Sequence, residues 1–67
     1  MSIGSLIKTK IGVFGVISKF NKQDDLYTIS WAGGMRRGEN IIYERKLVDH
    51  LLTNGDWMYF TNKGKTQ

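Results

Sequence analysis

A chain of 67 residues with 40% hydrophobic content sets a ceiling of one domain, and a marginal one, since only about 60% of the unfolded surface can be buried at this size. The absence of Cys rules out disulfides and thiolate metal sites, a lone His argues against structural zinc, and no apolar run reaches the roughly 18 residues of a membrane-spanning helix. Ten Lys plus Arg against six Asp plus Glu leave a net charge of +4 with pI near 9.6. That balance favours acidic partners, nucleic acid first, although it also lies inside the ordinary solubility charge of a small domain.

The first ten residues, MSIGSLIKTK, lack the charged start and long apolar centre of a signal peptide, so the chain reads as soluble and cytoplasmic. Ser5 to Lys10 is the first strand candidate and Val13 to Phe20 the second. Asn21 to Asp25 (NKQDD) is a polar turn, rich in side chains that bond their own backbone. Leu26 to Trp31 (LYTISW) is the clearest strand: Tyr27, Ile29 and Trp31 share one face, and Leu26, Thr28 and Ser30 the other. Ala32 to Gly38 is a loop whose three glycines predict mobility, and Asn40 to Tyr43 (NIIY) is a fourth strand. The period then changes. Leu47, Val48, Leu51 and Leu52 form the apolar stripe of a short helix over Glu44 to Thr53, with Gly55 as its left-handed cap. Asp56 to Thr61 is the last strand, and Asn62 to Gln67 a basic, flexible tail beyond a single domain of residues 1–61.

Five strands this short must curl on themselves to bury an apolar face and remove free edges. The segment GVFGVISKF is apolar on both alternating faces and carries two glycines. Gly12 and Gly15 are therefore expected to mark a kink, because strongly curled sheets bend at bulges and glycines. The alternative is a loop that ends at Gly15, with a shorter strand after it.

The stretch IGSLIKTKIGVFGVISKFNKQDDLYTISWAGG resembles the opening of small SH3-like barrels of the KOW or Tudor type. The matching pieces are Gly4-Ser5-Leu6-Ile7, then Gly12, Gly15 and Ile17, then Tyr27, Ile29 and Trp31, then Ile41, Tyr43, Glu44 and Leu47. Ser5 departs from an acidic residue common in the family. The resemblance spans residues 3–52 and implies a mainly β, five-stranded SH3-like small barrel with a short helix before the last strand. It is nearly silent on function. Members of the family bind RNA, DNA, ribosomal surfaces, methylated or proline-rich peptides, or each other, and many free-standing examples look like small phage products. A methyl-lysine cage of the Tudor type would draw on Phe14, Tyr27, Trp31 and Tyr43, but Tyr27 and Trp31 fall on the expected core face.

Arg36 and Arg37, in a glycine-flanked loop beside Met35, are the most site-like residues, suited to a backbone phosphate or an acidic surface. Lys8, Lys10, Lys19 and Lys22, with Lys63 and Lys65 in the tail, would make one basic side, or simply protect a sheet edge. Phe60, with Met58, would suit base stacking or a protein interface if exposed; the helix is expected to cover that face instead. Asp24 and Asp25 read as turn formers and His50 as a surface residue. Type II dihydrofolate reductase, a small SH3-like barrel, has a Gln-Ile-Tyr element similar to Ile41-Ile42-Tyr43, but Ile41 lacks the polar contacts of the glutamine. With no Ser/His/Asp or Cys/His set either, the chain reads as a non-enzymatic, cofactor-free binding module that contacts nucleic-acid backbone, DNA or RNA, through basic loops and strands. The alternative is a protein–protein interaction module, or an inhibitor of an acidic host protein. Homo-oligomerisation is compatible with either.

Overall fold

The structure, a computed structural model, describes residues 3–60. The expected tail, with Lys63 and Lys65, lies outside the described residues, as do Met1, Ser2 and Thr61. The chain runs β1 (Leu6–Thr9), β2 (Phe14–Asn21), β3 (Leu26–Trp31), a 3-10 helix (Gly34–Arg36), β4 (Asn40–Glu44), α1 (Arg45–Asn54) and β5 (Trp57–Phe60). All neighbouring strands are antiparallel, in one sheet of order β4-β3-β2-β1-β5. The expectation of a mainly β chain with five strands and one helix before the last is met. Among the described residues no helix is long and apolar enough to cross a membrane.

The period-2 pattern of β3 sets the two faces. Tyr27, Ile29 and Trp31 are buried, and their ladder partners Tyr43, Ile41, Ile17 and Gly15 share the inner side. Ile7 joins them from β1, opposite Gly15 on β2 and Tyr59 on β5. The helix α1 adds Val48, completing a core of Ile7, Ile17, Tyr27, Ile29, Trp31 and Val48. Gly55 ends the helix at φ 85°, and its N–H and that of Asp56 reach back to the carbonyls of Leu52 and Leu51. This is the paired bonding of a left-handed glycine cap, and it turns the chain directly into β5.

The sheet curls tightly around this core. In a flat sheet, β4 and β5 would lie about 19 Å apart, four spacings of about 4.8 Å. Instead the rings of Tyr43 on β4 and Trp57 on β5 have centroids 5.4 Å apart. The ladders nevertheless end at these two strands, so the sheet is open along a seam bridged by side chains and by α1.

The bend is not where the glycines led us to expect it. β2 begins at Phe14, and Gly12 (φ 89°) belongs to the turn before it. The register shifts between Ile17 and Lys19, leaving Ser18 as the extra residue of a bulge. The bulge reverses the side-chain parity of β2. Ile17 faces the core, yet Lys19 points outward opposite Thr28, and Phe20 points inward onto Tyr27, with ring centroids 4.7 Å apart. Gly15 serves a different need, close approach. A Cβ there would stand 2.8 Å from both Ile29 Cγ2 and Trp31 Cε3. Only hydrogen at that position lets the Trp31 indole lie across β2.

Candidate functional site: an aromatic groove at one end of the sheet

Trp31 closes the inner face of β3 at the end where the β1–β2 and β3–β4 loops stand. Its indole Nε1–H donates to the Tyr43 hydroxyl at 3.1 Å. Trp57, the first residue of β5, meets Trp31 edge to face, with centroids 5.6 Å apart and planes at 79°. Trp31 is 6% exposed, whereas Tyr43 and Trp57 are half-buried. The three rings touch one another, so they form a packed platform with exposed edges and faces. A cage for an ammonium ion would have to hold its rings apart.

Two loops wall this platform into a groove of about 470 Å³, within the roughly 300–1,000 Å³ of small-ligand sites. Ile11 and Val13 come from the β1–β2 loop, and Gly33, Gly34, Met35 and Arg36 from the β3–β4 loop. Both walls are braced. Thr9 Oγ1 accepts the Val13 N–H at 3.1 Å, while the Gly38 N–H donates to the Trp31 carbonyl at 2.9 Å and the Glu39 N–H to Arg36 at 2.9 Å. Gly34 (φ 76°) packs so closely on Val13 that a Cβ would lie 2.9 Å from Val13 Cγ2. The glycine loop expected to be mobile is thus a backbone-bonded turn docked on its neighbour.

Among the described residues, the expected basic side chains do not share one side. Arg36 lines the groove with Glu39 3.5 Å away, and Lys10, in the β1–β2 loop, faces Asp56 at 3.5 Å. Both pairs are exposed, where such bridges add little and an incoming anion can displace the carboxylate. Arg37, beside them, makes no ion pair among the described residues. Lys8 and Lys19 point to the outer face of the sheet, and Lys22 sits in the β2–β3 turn at the opposite end of β3. Phe60 and Met58 are 43% and 54% exposed, which corrects the expectation that α1 covers them. The helix packs against the inner side, and these two residues alternate to the outer one.

The opposite end is polar and tied down. Asn21 Oδ1 accepts the Asp24 N–H, so the turn forms as expected. Asp25 adopts φ 60°; its carbonyl accepts the Arg45 N–H, one of the free donors at the start of α1. Its carboxylate binds Arg45 Nε at 2.7 Å, and Asp49 binds Arg45 Nη1 at 2.7 Å. The hydrogen bond that Arg45 donates to Asp25, and then the Asp25 charge, raise the Arg45 pKa further above its already high value. His50 is exposed and meets Asn54 at 3.0 Å. Among the described residues no three His, Asp or Glu side chains gather as a metal site.

The aromatics weighed for a cage divide. Trp31 and Tyr43 converge on the groove, Tyr27 is core, and Phe14 points to the outer face. Sequence reasoning missed Trp57, the ring that completes the platform. Its only local signal is a shared face with Tyr59; its meeting with Tyr43 depends on the curl. No protein-family model, curated protein or solved structure matches the chain.

Proposed function

We propose that this chain is a non-enzymatic binding module, an SH3-like barrel with its seam at β4 and β5, whose groove takes single-stranded nucleic acid. A base stacks on Trp57 and Tyr43, and Arg36, Arg37 and Lys10 contact the flanking phosphates. One observation carries the reading: aromatic rings from β3, β4 and β5 and the Arg36 side chain line one groove, and Lys10 and Arg37 lie on the two loops that wall it. Stacking on an aromatic platform beside a cationic rim is how unspecific single-strand binders work, because every base has a π-face. Strand order, curl and helix placement support the barrel reading, and the surplus of cations supports a polyanion.

Tryptophan fluorescence titrated with a short oligothymidylate tests it. Binding quenches the Trp57 signal. With three phosphate contacts at about 0.7 counterions each, affinity falls roughly fifteen- to twentyfold between about 50 and 200 mM salt. A duplex of the same length binds more weakly, since its bases are already stacked. No quench, or an unchanged affinity in the Arg36→Ala/Arg37→Ala chain, would falsify the reading.

A further inference from the structure

The outer face of β5, β1 and β2 carries a second surface, apart from the groove. The register places Phe60, Leu6 and Val16 in one cross-strand row, and Met58, Lys8 and Phe14 in the next. Opposite residues on one face of an antiparallel pair lie about 4.5–5.5 Å apart at Cβ, so the six form one contiguous patch. Four of its members are large apolar side chains more than a third exposed: Leu6, Phe14, Met58 and Phe60. Among the described residues nothing packs over them, because α1 lies on the inner side with Val48 in the core.

Lys8 is the single charge in the patch. Its Nζ lies 5.6 Å from the Phe14 ring centroid, so the ammonium is held over the apolar surface by cation–π attraction. No carboxylate belongs to either row. This charge pattern decides between occupants. A second copy stacked by two-fold symmetry would bring the same patch, and with it a second Lys8, with no acid to match either one. A nucleic-acid strand would meet five apolar residues and one cation. A protein surface whose apolar side chains surround one carboxylate meets every feature, because a buried cation requires a partner and the remaining area is hydrophobic.

We propose that this face docks a protein partner through an apolar surface centred on one Asp or Glu. The chain then carries two independent faces: the groove end for its first ligand and the outer sheet for a protein.

Selection from a display library of random peptides tests this. The bait is the full chain, and sequences that also bind the Met58→Ser/Phe60→Ser chain are discarded. The expected survivors are apolar peptides with one acidic residue. Lys8→Glu, a surface change that leaves the core untouched, lowers their affinity at least tenfold. Replacing the peptide carboxylate by Lys restores binding to the Lys8→Glu chain. Three results overturn the proposal: no survivors, survivors without an acidic residue, or a chain that sediments as a dimer dispersed by Met58→Ser/Phe60→Ser. Oligothymidylate quenching in the Lys8→Glu chain is unchanged, so failure here is separable from failure at the groove.

Discussion

The two ends of the curled sheet are built on opposite plans. At the hairpin end, Arg45 is clasped between Asp25 and Asp49, the Asp25 carbonyl accepts the first N–H of α1, and an Asn21–Asp24 turn seals the strands. Its polar groups bond to one another. At the loop end, two half-buried rings and the Trp31 edge face an open groove, and the loop cations Arg36 and Lys10 have only exposed, 3.5 Å partners. A small domain with so few core residues does not leave apolar rings half-covered for stability, since covering them would add about 25 cal/mol for each Å². The contrast marks one end as structural and the other as available.

The comparison breaks first at Trp57. Replacing it by Ala removes the ring that bridges the seam to Tyr43 and supports Trp31. We expect a loss of about 3 kcal/mol in urea unfolding, the lower end of the range for aromatic truncation, because Trp57 is half-buried. Oligothymidylate affinity falls at least tenfold. Gly15→Ala comes next. The added methyl meets Ile29 and Trp31 at 2.8 Å, and overpacking of this kind costs about 1–3 kcal/mol. Near-UV circular dichroism reports the displaced indole, while Gly33→Ala, with extended backbone and open space at its Cβ, leaves that signal in place.

The hairpin end responds more mildly. Arg45→Ala breaks both ion pairs and lowers the melting temperature by less than either change above. The difference from the parent chain shrinks in high salt, because the pairs are partly exposed and screened. The smallest effect is in alkali. Burial, and next the Asp49 charge, raise the Tyr27 pKa above its ordinary value of 10.0. The unfolded chain therefore loses its proton at lower pH than the folded one. Stability tied to Tyr27 is fully present below pH 10 and is lost as pH rises through the higher folded value. Thermal melts across that window should show a steeper decline in the parent than in the Tyr27→Phe chain. Equal slopes would sink this assignment.

Local patterns foretold local features well. The alternation of LYTISW gives β3 with both ends right, and the Leu47–Leu52 stripe with Gly55 gives α1 and its cap to within a residue. What escaped was everything set by the curl. No residue type announces a bulge at Ser18, yet that extra residue sends Lys19 outward and Phe20 inward. Glycine was read as a hinge at position 15, where it is a clearance for an indole sixteen residues later in the chain. The side of the sheet taken by α1 also depends on tertiary packing, so the exposure of Met58 and Phe60 was not visible in their spacing.

Because β5 lies beside β1, Leu6 pairs with Phe60 across nearly the whole described chain. A ribosome delivers Leu6 long before Phe60. Until Tyr59 emerges, the fully buried Ile7 has no neighbour on one flank, and the Trp31 indole waits for Trp57. Folding of the complete sheet therefore waits on a long-range closure, and a nascent chain stopped before Trp57 presents a bare β1 edge to chaperones and proteases.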